Sequence, residues 1–181
     1  MAKVLIPLAD GCEEIEAVTL IDLLRRAGID VVTAGLKPGI VKASRGVQLV
    51  PDMTLDIALQ DEYDMVVLPG GMPGAANLKA DARIIDLLKK MAGAGKYTAA
   101  ICAAPMVLAE AGLLTGRQAT SYPGFLDAIP GVALSGAAVV RDGPVFTSRG
   151  PGTAMDFALA LIEALAGVDL RRQVEAALVR D

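Results

Sequence analysis

Short unbroken runs of apolar residues recur along the chain and predict buried β-strands. The runs are Val4-Leu5-Ile6-Pro7-Leu8, Asp30-Val31-Val32-Thr33-Ala34-Gly35, Met65-Val66-Val67-Leu68-Pro69 and Tyr97-Thr98-Ala99-Ala100-Ile101-Cys102. A strand with one face in water alternates apolar and polar residues, whereas a strand that is buried on both faces does not. The runs therefore predict a mostly parallel sheet with helices on both faces.

The segment between the first two runs has the spacing of an amphipathic helix. Over residues 13–27 an apolar stripe, which we expect to face the core, is formed by Ile15, Val18, Ile21 and Leu24. Gly28 follows as a C-terminal stop. Asp10, three residues before Glu13, predicts a capping box at the start of this helix.

Later segments continue the alternation of strands and helices. Helical patterns follow at about residues 82–94, 105–111, 153–166 and 170–179. Asp142-Gly143 separates two strand-like pieces within residues 139–147, which predicts a β-hairpin. Because no repeat, low-complexity stretch or linker interrupts the pattern, we expect one doubly wound α/β domain over residues 1–181.

The composition is that of a globular protein with no basic surface for nucleic acid. Of 181 residues, 54% are hydrophobic, 21% are charged and 3% are aromatic, and the net charge is −4. No apolar run approaches the ~18 residues that a membrane span needs, and the short run after Met1-Ala2-Lys3 does not form a secretory signal. We expect a soluble, cytoplasmic protein with neither nucleic acid nor a membrane as partner.

The chain has two cysteines and no histidine, which limits its chemistry. Cys12 and Cys102 are far apart and lack CxxC spacing, so neither a disulfide framework nor a zinc site is predicted. The glycine-rich segments match neither a P-loop nor a dinucleotide fingerprint, so we expect no cofactor and no metal. A thiolate here must be activated by a carboxylate, a backbone field or a phenol instead of a Cys-His pair.

Cys102 ends an apolar run and precedes Ala103, Ala104 and Pro105. This layout is typical of a nucleophile elbow, in which a buried strand turns sharply into a helix. We expect the turn to expose the sulfur beside the first N–H groups of that helix and so to stabilise a thiolate. The alternative is a small buried hydrophobic residue, which is the commonest state of a free cysteine.

The loops that follow neighbouring strands supply candidate partners for Cys102. The carboxyl ends of parallel strands meet at one edge of the sheet, so backbone N–H groups of the Gly70-Gly71 pair and of Ala103 are predicted to form an oxyanion hole. Cys12, at the end of the first strand, is either a redox partner of Cys102 or a packing residue.

Glu16 is the candidate acidic partner of Cys102. It is rotated by about 100° from the predicted core stripe, towards the carboxyl edge of the sheet. The alternative is that Glu13, Glu14 and Glu16 are only favourable anions in the first turns of a helix.

Taken together, these residues resemble the DJ-one/ThiJ/PfpI superfamily, within it the branch of the human parkinsonism-associated protein and its bacterial relatives. The resemblance spans essentially the whole chain and is carried by Gly11-Cys12-Glu13-Glu14-Ile15-Glu16, Arg25-Arg26-Ala27-Gly28, Ser44-Arg45-Gly46, Val67-Leu68-Pro69-Gly70-Gly71, Ala99-Ala100-Ile101-Cys102-Ala103-Ala104-Pro105 and Thr147-Ser148-Arg149-Gly150-Pro151-Gly152-Thr153.

The resemblance implies a flavodoxin-like fold, a homodimer, a reactive Cys102 hydrogen-bonded by a partly protonated Glu16, and an oxyanion site at Gly71 and Ala103. It also makes Tyr122, Arg45 and Cys12 possible pocket residues. The implied activities are cofactor-independent conversion of small 2-oxoaldehydes to 2-hydroxy acids, removal of early glycation adducts from protein side chains, sensing of oxidative stress through cysteine sulfinate, and chaperone activity.

Two positions depart from patterns seen in this superfamily. Its protease branch has a histidine directly after the cysteine, where this chain has Ala103, so peptidase activity is not expected. Some members have a histidine before a proline on the next strand, where this chain has Tyr122. Because the pKa of a phenol is near 10, tyrosine is a poor proton shuttle at neutral pH, and we expect catalysis either to be slower or to depend on Glu16 alone.

Overall fold

A seven-stranded sheet forms the centre of the computed structural model, which describes residues 1–180. The strands along the chain are β1 (Lys3–Leu8), β2 (Asp30–Gly35), β3 (Val41–Lys42), β4 (Gln48–Leu49), β5 (Met53–Thr54), β6 (Met65–Leu68), β7 (Tyr97–Ile101), β8 (Gln118–Ala119), β9 (Ala133–Leu134), β10 (Val139–Asp142) and β11 (Val145–Ser148). The order in the main sheet is β10-β11-β7-β6-β1-β2-β5. β2 and β5 are added to the sheet on one side of β1. The chain then crosses over, and β6 and β7 are added on the other side.

Every pair of neighbours in this sheet is parallel except β10 and β11. β10 and β11 form the predicted hairpin around Asp142-Gly143, with Asp142 opposite Val145. The residues of β6 are all buried, as are those of β1 after Lys3 and of β7 after Tyr97. Such strands need no polar face, because helices cover the sheet on both sides.

Two groups of helices flank the sheet. The helices are α1 (Glu14–Arg26), α2 (Leu55–Ala58), α3 (Gly74–Ala80), α4 (Ala82–Gly93), α5 (Pro105–Glu110), α6 (Ala154–Ala166) and α7 (Val168–Ala177), with a 3₁₀ turn at Pro151–Thr153. α1, α6 and α7 pack together, and α3, α4 and α5 pack together. The predicted flavodoxin-like α/β fold is therefore confirmed, and among residues 1–180 no helix has the length and apolar character that a bilayer crossing requires.

The buried face of α1 differs from the predicted stripe. Ile15 and Val18 are 55% and 45% exposed, whereas the buried residues of this helix are Glu14, Glu16, Ala17, Leu20, Leu23 and Leu24. The small Ala17 belongs to the face that packs against the rest of the fold, and two glutamates are buried because each has specific polar partners. The stripe is therefore wrong at Ile15 and Val18, whereas Leu24 is buried and Ile21 packs against the core as predicted.

The capping box predicted from Asp10 is also wrong. The residue at the N-terminal cap of α1 is Glu13, and its side chain makes no capping hydrogen bond. Asp10 instead accepts a hydrogen bond from the backbone N–H of Lys42 at 2.9 Å. This bond ties the loop after β1 to β3, a two-residue strand that pairs with β4 and that the hydrophobic pattern did not predict.

Candidate active site

The loops after β1 and β6 are in close contact at the carboxyl edge of the sheet. The Glu13 N–H donates to the Gly70 carbonyl at 2.9 Å. Gly71 has a φ of +86°, and a β-carbon there would lie 2.7 Å from the Gly11 carbonyl oxygen and 2.8 Å from the carbonyl carbon of Cys12. Only glycine allows both this conformation and this approach.

Gly70 brings Cys102 and Glu16 to the same point. A β-carbon on Gly70 would lie 2.6 Å from Cys102 Cβ and 2.8 Å from Glu16 Oε2. The space that a side chain would occupy is therefore already filled by the thiol-bearing residue and the carboxylate. The lack of a side chain at this position lets the two groups meet.

Cys102 occupies a strained turn directly after β7. Its φ is +65°, in the left-handed region that costs a non-glycine residue about 1–2 kcal/mol. Two backbone hydrogen bonds hold it: its N–H donates to the Ser148 carbonyl at 3.0 Å, and its carbonyl accepts from the Tyr122 N–H at 2.8 Å. The chain then enters α5 at Pro105, as the elbow pattern predicts.

The Cys102 sulfur is more buried and harder to ionise than the elbow pattern suggests. The residue is 8% exposed. Burial, followed by the negative charge of Glu16, raises the pKa of its thiol to about 12, while hydrogen bonds from the Gly71 and Ala103 N–H groups lower it. α5 has only six residues, so its dipole is small and the loss of hydration prevails. Cys102 is therefore less exposed than predicted, although the predicted N–H donors of Gly71 and Ala103 face its sulfur.

Glu16 is completely buried against this thiol. Its Oε2 accepts a hydrogen bond from the Gly70 N–H at 2.7 Å. Burial raises its pKa to about 7, against the lowering effects of that bond and of the neighbouring Cys102. Among residues 1–180 Oε1 has no hydrogen-bond partner, and the Cys102 thiol is the polar side chain that the Glu16 carboxyl faces.

Cys102 and Glu16 titrate as a pair. The negative charge of Glu16 opposes ionisation of Cys102, because two negative charges in one buried site repel, whereas the neutral thiol favours ionisation of Glu16. At neutral pH the pair therefore carries at most one negative charge, which resides mainly on Glu16. A proton can pass from sulfur to carboxylate without a change in the net charge of the site.

The predicted oxyanion donors divide into two roles. The Gly71 and Ala103 N–H groups face the Cys102 sulfur. The Gly70 N–H is already engaged by Glu16, so Gly70 differs from the prediction and positions the acid instead of supplying a free donor.

Cys12 has the burial of a packing residue, which is one of the two predicted alternatives for it. It is fully buried, and a β-carbon on Gly74 would lie 2.6 Å from its Cα. Burial, followed by the charge of Glu14, raises the pKa of its thiol to about 12. Cys12 and Cys102 are both free cysteines.

The structure places Arg45 and Tyr122 differently with respect to Cys102. Arg45 is exposed, and its N–H donates to Glu14 Oε1 at 2.8 Å. No hydrogen bond in residues 1–180 joins it to Cys102. Tyr122 adjoins Cys102 through its backbone, while its side chain is 49% exposed and packs edge-on against Phe125.

Ser148 is not among the predicted site residues, although its carbonyl accepts the hydrogen bond of the Cys102 N–H. The available signal was its place in the Thr147-Ser148-Arg149-Gly150-Pro151-Gly152-Thr153 motif. Sequence spacing could not show that this motif meets Cys102, because the contact depends on the pairing of β7 with β11, which sets Ile101 opposite Ser148.

A cavity of about 480 Å³ lies beside the site rather than at it. Its lining includes Asp10, Lys37, Asn77 and Arg83, but neither Cys102 nor Glu16. In the described part of the chain, no three Cys, Asp or Glu side chains are grouped so that they could hold a metal ion. The polar chemistry at the carboxyl edge therefore centres on Cys102, Glu16 and the neighbouring N–H groups.

Known proteins share this arrangement of elements. Protein dj-1beta of Drosophila melanogaster is 44% identical over 97% of this chain and 95% of its own length. Its crystal structure has a TM-score of 0.96 and 42% identity, covering 99% of this chain and 98% of the other. The Parkinson disease protein 7 homolog of Danio rerio is 42% identical over 98% of this chain and 96% of its own length.

Three further relatives include one that is named as an enzyme and two that are much longer than this chain. A protein of Pyrococcus abyssi named as a deglycase is 36% identical over 83% of this chain and 91% of its own length. The chain spans only 38% of DJ-1 homolog B and 46% of DJ-1 homolog A of Arabidopsis thaliana. The model of the DJ-1/PfpI family matches residues 2–164. With relatives of this identity over nearly the whole chain, the protein belongs to the DJ-1/PfpI family.

Proposed function

We propose that this protein converts small 2-oxoaldehydes such as methylglyoxal to 2-hydroxy acids without a cofactor, using Cys102 as nucleophile and Glu16 as the proton-transfer group. The observation that carries the proposal is the fully buried Glu16 with a pKa of about 7 beside the Cys102 thiol. A general acid and base works best when its pKa is near the operating pH.

The first step is addition of the thiol to the aldehyde. Cys102 Sγ forms a bond to the aldehyde carbon as its proton passes to the Glu16 carboxylate, and the carbonyl oxygen becomes an alkoxide. The Gly71 and Ala103 N–H groups that face the sulfur are suited to stabilise that oxygen. Protonation of the alkoxide by Glu16 gives a hemithioacetal and restores the carboxylate.

The second step moves hydrogen between the two substrate carbons. Glu16 removes the proton from the former aldehyde carbon, and the resulting enediolate is protonated on the former ketone carbon. The first carbon is thereby oxidised to a thioester and the second is reduced to an alcohol, so no outside oxidant or reductant is needed. Water then cleaves the carbon–sulfur bond, releasing the 2-hydroxy acid and the thiol.

Glycated protein side chains are a second substrate class in this proposal, supported by the name of the Pyrococcus relative. Their early adducts carry the same two-carbon unit as the free 2-oxoaldehyde. Lactate formation from preformed adducts, compared with that from free methylglyoxal at equal total aldehyde, distinguishes direct action on adducts from removal of the free compound.

An oxidative-stress sensor that forms Cys102 sulfinate is the alternative. The Gly71 and Ala103 N–H groups would also stabilise a sulfinate. Redox-sensing cysteines are, however, accessible and have a lowered pKa, whereas Cys102 is buried and its pKa is raised to about 12. The burial of Cys102 beside Glu16 favours an enzyme in which this neighbouring base removes the thiol proton during attack.

The test is NMR of lactate formed from methylglyoxal in D₂O by the purified protein and by two matched variants. We expect Cys102→Ser to lose turnover and Cys12→Ser, which alters the other buried cysteine, to keep it. Deuterium should enter at C2 of lactate, because the proton passes through an exchangeable acid. Turnover retained in Cys102→Ser refutes the covalent mechanism, and rapid sulfinate formation at Cys102 in peroxide without lactate formation supports the sensor.

We also propose a homodimer, in line with the family resemblance. Apolar residues on the outer face of α1 are exposed and adjoin a groove of about 310 Å³ lined in part by Val18, Ile21, Leu49 and Val50. Exposed apolar patches of this kind favour association. Sedimentation equilibrium should show a dimer that Val18→Lys converts to a monomer; a monomeric wild-type protein contradicts the proposal.

A further inference from the structure

Two buried hydroxyl groups lie behind the turn that carries Cys102. Ser148 ends β11 with no exposed surface, and Thr153 lies in the 3₁₀ turn before α6. Their oxygen atoms are 2.7 Å apart. Neither residue has a role in the proposed chemistry, yet a buried hydroxyl is costly unless it is hydrogen-bonded.

The hydrogen bonds of this hydroxyl pair connect three backbone segments. Ser148 Oγ donates its only hydrogen to the Ala138 carbonyl at 2.7 Å. Thr153 Oγ1 accepts from the Gly150 N–H at 3.2 Å and lies 3.0 Å from the Gly150 carbonyl oxygen. The Thr153 hydrogen is therefore directed to Ser148 or to Gly150, and residues 138, 148 and 150 are held in one arrangement.

Both backbone hydrogen bonds of Cys102 lead to this arrangement. The Cys102 N–H donates to the carbonyl of Ser148 itself. The Cys102 carbonyl accepts from the N–H of Tyr122, whose ring packs on Gly150, since a β-carbon there would lie 3.4 Å from Tyr122 Cδ2. A strained residue persists only where its surroundings fix it.

We propose that Ser148 and Thr153 are positioning residues for the Cys102 thiol, holding the backbone of Cys102 so that its sulfur faces the Gly71 and Ala103 N–H groups and Glu16. The inference rests on the proposed role of Cys102 as the reacting thiol. Loss of either hydroxyl frees the turn after β11, and the sulfur then moves away from the donors that favour its anion. A displacement of about 1 Å at a reacting atom can cost up to ~10²-fold in rate.

The test uses variants that remove or keep a single hydroxyl. Thr153→Val and Ser148→Ala remove it, and Thr153→Ser keeps it. Thr98→Val is the matched control, because Thr98 is a buried threonine whose Oγ1 has no partner within residues 1–180. The readout is the second-order rate constant for iodoacetamide alkylation of Cys102 in the folded protein as a function of pH.

We expect Thr153→Val to lower this rate constant by roughly ten-fold or more at neutral pH. The pH at which the rate constant rises should shift to a higher value. Ser148→Ala should act in the same direction, and Thr153→Ser and Thr98→Val should react like wild type. A purely structural pair would lower the free energy of unfolding without changing alkylation of the folded protein. Wild-type alkylation in folded Thr153→Val therefore overturns the proposal.

If Thr153→Val does not fold, the alkylation rate of Cys102 in folded Ser148→Ala tests the proposal, and a wild-type rate overturns it. Failure of both to fold while Thr98→Val folds also overturns the proposal, because the pair is then needed for the fold and not for the thiol. The alkylation assay needs no methylglyoxal turnover. An inactive wild-type protein with the expected alkylation pattern would thus refute the proposed function and leave the positioning role intact.

Discussion

At the scale of single residues, the site combines a weakly acidic thiol with a weakly acidic carboxyl group. Burial opposes charge on both, and the Gly70 N–H holds one oxygen of Glu16 in place. A free thiolate would be a better nucleophile, but the chain has no histidine to stabilise it and the negative charge of Glu16 opposes it. The arrangement instead suits a thiol that is deprotonated only as it reacts.

Glu16→Gln separates proton transfer from hydrogen bonding. The amide oxygen can still accept from the Gly70 N–H, and the amide nitrogen can donate to the sulfur, but neither can carry a proton between substrate carbons. We expect the kcat for methylglyoxal to fall by ~10²-fold or more. Alkylation of Cys102 by iodoacetamide should fall by less, because it needs Glu16 only to remove the thiol proton and not to move a proton between substrate carbons. Both rates are measured on the same preparation.

Glu14→Gln is the control for this prediction. Glu14 is a buried glutamate in the same helix, but its carboxylate accepts hydrogen bonds from Ser44 and from the Arg45 N–H rather than facing the thiol. Equal losses of kcat in the two variants, or no loss in Glu16→Gln, would mean that Glu16 acts only through the structure of the helix.

At the scale of secondary-structure elements, the hydrophobic pattern predicted the strands and helices better than it predicted their faces. β2 has the predicted bounds and α4 ends one residue early, because a continuous apolar run and an amphipathic period are local properties. The stripe predicted for α1 is right at Leu24, which is buried, and at Ile21, which packs against the core, but wrong at Ile15 and Val18, which are exposed. Near these two residues the buried positions are taken by Glu14 and Glu16, whose burial depends on partners far away in sequence. The Gly70-Gly71 loop was recognised, but which N–H serves which group depends on the contact between the loops after β1 and β6.

Gly70→Ala tests the contact that this loop makes with the elbow. The added β-carbon would lie 2.6 Å from Cys102 Cβ and 2.8 Å from Glu16 Oε2, so one of them must move. We expect the free energy of unfolding to fall by about 1–3 kcal/mol, as for other overpacked sites, and methylglyoxal turnover to be lost. Urea denaturation and the lactate assay measure the two effects.

Gly93→Ala is the matched control, because Gly93 ends α4 and an added β-carbon there meets nothing within 4 Å. This variant should keep full turnover and a wild-type or slightly higher free energy of unfolding. If Gly70→Ala behaves like Gly93→Ala, the close packing of Gly70, Cys102 and Glu16 does not constrain the site.

At the scale of the whole molecule, the order of the strands brings the functional groups together. The chain crosses over between β1 and β6, so the loops after these strands lie side by side at the carboxyl edge, and β7 adds Cys102 next to them. Ligands bind at this switch point in sheets of this kind. A buried carboxyl group at the switch point is also a cost to the whole fold, because the folded state must hold it away from water.

This cost gives the protein a pH-dependent stability. The pKa of Glu16 is raised from its ordinary 4.5 to about 7, so between these values the folded state binds more protons than the unfolded state. The contribution of Glu16 to the free energy of unfolding is therefore at its full value below pH 4.5 and is lost as the pH rises through 7. Over this range the free energy of unfolding falls by about 3 kcal/mol. The Glu16→Gln variant has no ionisable group at this position, so its free energy of unfolding should not show this decrease.

Urea denaturation of the wild type and of Glu16→Gln at pH 5, 6, 7 and 8 measures the difference directly. Glu14, Asp52, Asp64, Asp81 and Asp142 have lowered pKa values and change the stability in the opposite sense at lower pH. They are common to both proteins, so their effects cancel in the difference between the two curves. That difference should grow in favour of Glu16→Gln from pH 5 to pH 7. Parallel curves would mean that Glu16 ionises in the folded protein as easily as in water, and the carboxyl group would then be too acidic to move protons at neutral pH.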